Sequence, residues 1–343
     1  MNPSTILSAR QWAEYTFGTV RLGDQRRTKR AVEIASAIAH DPAASLPAQM
    51  QDKTALEAAY RFLQTPDVTY EQLIRPHVEQ TRAQARKHKQ VLLIQDTTSL
   101  DYQQHLTTRG LGPIANGTHH GYLVQSVLAV VPGSREVLGL MHQEAFLRKS
   151  APEGETRRER ERESQVWEHS VQAIRRPPEG VQWIHVGDRY SDMFSFLSLC
   201  RQQSCDCVVR AAQDRCVDLR VEQADTPVAR RSYHPRRSGQ QDGPKPLHLF
   251  EVVRNWSAMG EQELHLEATK QAKARVARVV ISFGCLRLLP PQNPQTSELR
   301  PLVVWVVRVW EPEPPEGVER LEWILLTSVP TLRVEQAWER VDG

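Results

Sequence analysis

Two short apolar runs, each closed by an aspartate, constrain this chain most. Val91-Leu92-Leu93-Ile94 leads to Asp96, and Trp183-Ile184-His185-Val186-Gly187 leads to Asp188, 92 positions later. Apolar runs of this length read as strands buried on both faces, which belong to sheets covered by helices. Each aspartate is expected just past the end of its strand. Gly121–Val131 and Val137–Leu147 read as two further strands joined by the Pro132-Gly133 turn. A helix is expected from Ser191 to Gln202, capped by Ser191 or Asp192, and Val208-Val209-Arg210 reads as a strand. The pattern gives an α/β fold with a mixed sheet.

The residues ahead of the first strand read as helical. Asp24 suits an N-cap, and Ala31, Ile34, Ala35 and Ile38 follow it at helical spacing. A second helix is expected over Asp52–Leu63, with Ala55, Ala58, Ala59, Phe62 and Leu63 on one face, and a third over Tyr70–Lys89. The stretch Glu155–Glu168 reads as a charged helix. Beyond Ala211 the pattern breaks into a proline-rich basic stretch, Pro227–Pro246, and strand-like runs at Leu264–Leu266, Arg275–Ser282 and Leu302–Trp310. These form a β-rich insertion, after which Trp323–Thr327 returns as a strand and Val334–Arg340 begins a helix. The expected organisation is a helical domain over 1–70 and an α/β core over 71–343, with the insertion at about 211–317.

Composition excludes several classes. No apolar run reaches the length of a transmembrane helix, and Met1–Arg10 lacks the apolar centre of a signal peptide. Five cysteines, an odd number, argue for reduced thiols in a cytosolic protein rather than a disulfide scaffold. The balance of 44 basic and 41 acidic residues leaves a net charge of +3, so any nucleic-acid site must be a local basic patch. No phosphate-binding glycine loop, zinc-protease motif or nucleophile elbow is present.

Asp96 and Asp188 have two readings. Carboxylates at strand ends suit a hard cation such as Mg²⁺, and they equally start turns or cap helices. Arg26, Arg27 and Arg30, near the start of a helix, suit a phosphate backbone or a solvated face. Arg61 beside Tyr60 is a similar candidate. Arg157–Glu163 reads as solvated surface, and Arg230, Arg231, Arg236 and Arg237 as a loop that could track a backbone.

Several ordered motifs carry a family resemblance. They are Trp12-Ala13, Phe17, Leu22-Gly23-Asp24-x-Arg26-Arg27-Thr28-x-Arg30 and Ala59-Tyr60-Arg61-Phe62, then Asp96-Thr97-Thr98-Ser99-Leu100-x-Tyr102. Ser126-Val127-Leu128, Gly139-Leu140-x-His142-Gln143-Glu144 and Glu163-Ser164-x-x-Trp167 follow. Asp188-Arg189-x-x-Asp192, Val208-Val209-Arg210 and Trp323-x-Leu325-Leu326-Thr327 complete the set. On these residues the chain resembles the IS4 family of bacterial transposases, in the branch typified by the Tn5 transposase.

The resemblance implies an RNase H-like (DDE transposase) core with a β-rich insertion, preceded by a helical domain that binds terminal inverted repeats. It implies cut-and-paste transposition with Mg²⁺, for which Mn²⁺ substitutes, held by Asp96 and Asp188. Arg26, Arg27, Arg30 and Arg61 fall on its DNA-contact motifs. Arg210 and Trp323 fall near the scissile end, where a tryptophan either stacks on an extruded base or packs in the core. The implied partners are transposon ends and target DNA, with a homodimer in the intact family, no membrane, and a bacterial cytoplasmic, nucleoid-associated location. The family's third acidic motif, Tyr-x-x-Arg-x-x-x-Glu, is not among these residues. The expectation is a C-terminally truncated transposase, inactive alone, or a DNA-binding remnant that inhibits transposition.

Overall fold

The computed structural model describes residues 7–104, 107–115, 117–148, 165–220, 247–268, 273–291 and 299–342. Chain contacts divide it into two compact units, 1–88 with 138–141, and 89–137 with 142–343.

The first unit is helical. Its helices are α1 (Ala9–Phe17), α2 (Gln25–His40), α3 (Leu46–Met50), α4 (Lys53–Leu63) and α5 (Tyr70–Ala85). Each long helix starts where a short polar side chain satisfies a free amide. Ser8 caps α1, Asp24 caps α2 through the Arg26 amide, Asp52 caps α4 through the Ala55 amide, and Thr69 caps α5. Val20, Leu22, Ala31, Ile34, Met50, Ala59 and Phe62 form the core. The apolar stripes run less far than their spacing suggests. Ile38 and Leu63, expected on buried faces, are exposed, whereas Ile34, one turn before Ile38, and Phe62, next to Leu63, are buried in the core. Helix α5 packs on α1, with Gln80 Nε2 donating to the Tyr15 carbonyl at 2.5 Å, so it lies with this unit rather than beyond an edge at 70.

The second unit is built on one twelve-stranded sheet. Its strands are β1 (Gln90–Asp101), β2 (Gly112–Ile114), β3 (His119–Val131), β4 (Glu136–Phe146), β5 (Gln182–Gly187), β6 (Asp206–Arg210), β7 (Cys216–Asp218), β8 (Leu247–His248), β9 (Gly260–Leu266), β10 (Arg275–Leu288), β11 (Leu302–Trp310) and β12 (Glu322–Thr327). The order is β2-β3-β1-β5-β6-β12-β11-β10-β7-β8, with β4 beside β3 and β9 beside β10. Strands β1, β5 and β6 are parallel, while β3 and β12 run antiparallel to their neighbours β1 and β6. Helices α6 (Gln165–Ile174) and α7 (Phe194–Gln202) pack on each other, and Trp167 and Phe196 meet edge to face at 6.5 Å. Helix α8 (Leu249–Arg254) sits in the insertion and α9 (Val334–Asp342) follows β12.

Two expectations change. Strand β1 does not stop before Asp96, because Asp96 pairs with Ser126 and the ladder to β3 continues to Asp101. The 191–202 helix begins only at Phe194, after a separate 3-10 turn over Arg189–Ser191, and neither Ser191 nor Asp192 caps it. The insertion strands continue the same sheet, with β11 next to β12. Glu322 ties the two regions, accepting from Arg254 at 2.6 Å and from Arg308 at 2.9 Å. The greater part of the expected 155–168 helix, the arginines of 157–163 and the basic 227–246 stretch lie outside the described residues; α6 begins at Gln165. The five cysteines are free thiols, and Cys200, Cys205 and Cys207 are buried.

Candidate nucleic-acid interface and carboxylate row

Sheet register brings the candidate core residues together. Strands β1 and β5 pair in parallel from Gln90↔Gln182 to Ile94↔Val186. Asp96 and Asp188 each lie two residues beyond the last pair, and Asp188 is still extended, with φ −75° and ψ −168°. Strands β5 and β6 pair up to Gly187↔Val209, so the residue opposite Asp188 is Arg210, which itself pairs with Leu325 of β12. Neighbouring strands stand about 4.8 Å apart. Asp96, Asp188 and Arg210 therefore form one row across three adjacent strands, on a common face because register partners share a face. That face continues through Ile94, Val186 and Val208, which pack with the buried Leu92, Val130, Ile184 and Val329.

The row is solvent-facing, since Asp96, Asp188 and Arg210 are all exposed. Asp188 Oδ1 accepts from the Tyr190 amide at 2.8 Å, and its carbonyl accepts from Ser191 Oγ at 2.7 Å. Asp188 thus starts the turn over Arg189–Ser191, as the capping reading expects. Arg210 has no salt-bridge partner among the described residues. Asp192 is different. Its side chain is fully buried, and Oδ2 accepts from the Ala212 and Gln213 amides at 2.7 Å each. Oδ1 pairs with Arg215 at 2.6 Å. This carboxylate staples the loop after β6 to the turn after β5. The quoted Asp188-Arg189-x-x-Asp192 motif pointed to Asp192, whereas nothing in the sequence pointed to Arg215.

Two hard oxygen donors fit a hard cation in kind. Mg²⁺ keeps several waters and takes one or two carboxylates. Among the described residues no group of three His, Cys, Asp or Glu side chains is arranged to hold a metal. Trp323 lies on the same face, two residues from Leu325. It packs against the cluster of Val307, Val309 and Ala337, so the core reading has direct support.

In the helical unit the four arginines differ in commitment. Arg26 is widely exposed but bonded to Asp24 at 2.9 Å, and its guanidinium holds the Asp24 carboxyl below the usual range. That cap also takes the Arg26 amide, so one of the free helix-start groups expected to meet a phosphate is already used. Arg27 is partly buried, donating to the Leu22 carbonyl at 2.8 Å and to Asp67 at 2.7 Å. Arg30 pairs with Glu33 at 2.8 Å. Arg61 is exposed with no salt-bridge partner among the described residues, and exposed Tyr60 and Leu63 flank it.

Residues 9–68 match the family described as transposase DNA-binding. The N-terminal helical unit carries a transposase DNA-binding domain. The matched span starts with α1 and ends at Val68, before α5, so it takes in Arg26, Arg27, Arg30 and Arg61. DNA is accordingly the partner of this domain. No helix among the described residues is long and apolar enough to cross a membrane.

Proposed function

We propose that the chain is a DDE transposase of the IS4 family, similar to the Tn5 branch, with an RNase H-like core in its second unit. The observation that carries this is the row of Asp96, Asp188 and Arg210 on adjacent strands of a chain with a transposase DNA-binding domain. The strand order β4-β3-β1-β5-β6, with β3 alone antiparallel, supports the RNase H-like reading.

In this reading α2 and α4 bind the transposon's terminal inverted repeats. Arg61 meets phosphate directly, and Arg26 and Arg30 exchange their acidic neighbours for phosphate oxygens. Asp96 and Asp188 would hold Mg²⁺, or Mn²⁺ in its place. The bound cation supplies Lewis-acid activation of the phosphodiester and of the attacking water or 3′-hydroxyl. Arg210 neutralises a phosphate oxygen next to Asp188. Trp323 stands at the far end of the same face, where its exposed part meets a base. The family pairs two copies on DNA and works on the bacterial nucleoid, and both properties go with this assignment.

A second reading is binding without cleavage. It draws on the family match, which covers the DNA-binding span of residues 9–68. One experiment separates the two. DNA carrying the repeats that flank the gene is titrated with the chain at several salt concentrations, then incubated with Mg²⁺ or Mn²⁺. Transposase function requires metal-dependent nicking at the repeat ends that Asp96→Asn and Asp188→Asn abolish while binding persists. Salt-dependent binding with no nicking leaves the second reading.

A further inference from the structure

We infer that a buried hydrogen-bonded chain, Thr97–Gln125–Gln95–His185, is the positioning device that sets Asp96 beside Asp188. The inference rests on the proposed role of those two aspartates.

Backbone pairing between β1 and β5 ends at Ile94↔Val186, before either aspartate is reached. On the opposite face of the sheet, side chains continue the connection. Thr97 Oγ1 donates to Gln125 Oε1, Gln125 Nε2 donates to Gln95 Oε1 at 3.2 Å, and Gln95 Nε2 donates to His185 Nδ1 at 2.7 Å. The chain crosses β3, β1 and β5, and Gln95 is the residue next to Asp96. Gln95, Gln125 and His185 are all buried.

Each amide gives its N–H to one neighbour and its oxygen to the other, so turning one amide alone breaks the chain. In this direction His185 Nδ1 accepts, and its Nε2 is buried with no hydrogen-bond partner among the described residues. A buried polar group left unmatched calls for an explanation, because a leucine there would avoid the loss. Register control supplies one. Sliding β1 by two residues along β5 would keep the apolar faces matched but would take Gln95 out of the diagonal relation to His185 that their bond uses.

Gly187 completes the device on β5. A Cβ there would come within 3.0 Å of Trp167 Cζ3 and nearer still to the Ser191 side chain. The missing side chain lets Ser191 reach in and bind the Asp188 carbonyl.

The test measures Mn²⁺ affinity of the full chain by electron paramagnetic resonance, alongside the melting temperature. The proteins are wild type, Asp96→Asn, His185→Leu, His185→Asn and Thr97→Val. Asparagine keeps an acceptor where Nδ1 sits, and leucine removes it. Positioning predicts that His185→Leu weakens Mn²⁺ binding roughly tenfold, the low end for residues that orient metal ligands, and that His185→Asn restores it. Thr97→Val, nearly isosteric at the half-buried end of the chain, should weaken binding in the same direction and decides the matter if His185→Leu does not fold. Wild-type affinity in Thr97→Val and in folded His185→Leu, with only the melting temperature lowered, overturns the inference and leaves the aspartate site standing. Wild-type protein that binds no Mn²⁺, or binding untouched by Asp96→Asn, overturns the site reading and the inference together.

Discussion

Asp96 and Asp188 stand at equal distance, two residues, beyond Ile94 and Val186, the last paired positions of two neighbouring parallel strands. Equal offset on parallel strands means equal height and a shared face. In the proposed function the two carboxylates act on one cation as a unit. The losses in Mn²⁺ affinity from Asp96→Asn and Asp188→Asn should therefore fall short of adding in the double variant. Calorimetric titration of the three variants and the wild type measures this, and strict additivity would mean the side chains bind independently.

Arg61 and Arg27 should separate binding from stability. Arg61→Ala removes an exposed cation and should weaken DNA binding, lower the salt slope by about 1 and leave the melting temperature unchanged. Arg27→Ala removes bonds to the Leu22 carbonyl and Asp67 and should lower the melting temperature of the helical unit. Salt-dependent gel shift and thermal melts on both variants check the contrast. A larger binding loss from Arg27→Ala at unchanged stability would reverse the assignment.

Asp192→Ala should be severe although the residue touches no DNA in the proposed function. It strands the Arg215 guanidinium, whose side chain is 10% exposed, and two backbone amides. Breaking one partner of a buried pair costs about 3–5 kcal/mol. Urea unfolding gives the value directly, and a loss below about 1 kcal/mol would show that the loop after β6 holds itself.

Burial alone pushes the His185 pKa down, from 6.5 to about 3. The folded protein therefore keeps His185 neutral where the unfolded chain would protonate it. Stability from this group is complete above pH 6.5 and falls as pH drops towards 3. The full span is roughly 5 kcal/mol by linkage. Urea unfolding at pH 4.5 and 7.5 should show a smaller pH dependence in His185→Asn than in wild type. An unchanged slope would locate the titration elsewhere.

Sequence pattern made the helices of the first unit and the strands of the sheet legible wherever apolar spacing marks an edge. The end of β1 was not legible. Gln95-Asp96-Thr97-Thr98-Ser99 is polar, and only the ladder from Asp96↔Ser126 to Asp101↔Gly121 keeps it extended. Short β2 and α3 carry too few residues to show a period. The aspartates were visible because each follows an apolar run. Their supports were not, since Gln95 meets Gln125 and His185 only through register across 30 and 90 residues of chain. Trp323 was readable as a base platform or a core residue, and its packing under α9 depends on contacts that no local motif encodes.

Between Arg210 and its partner Leu325 the chain builds β7 to β11, which lie on the far side of β12 in the same sheet. The aspartate pair needs only β1 and β5, whereas Arg210 gains its second neighbour once Leu325 has been synthesised. A ribosome emitting this chain thus releases the acidic half of the row well before the strand that encloses its basic end. Loop closure over so long a stretch is slow, so the exposed edge of β6 is the place where a nascent chain is open to wrong partners.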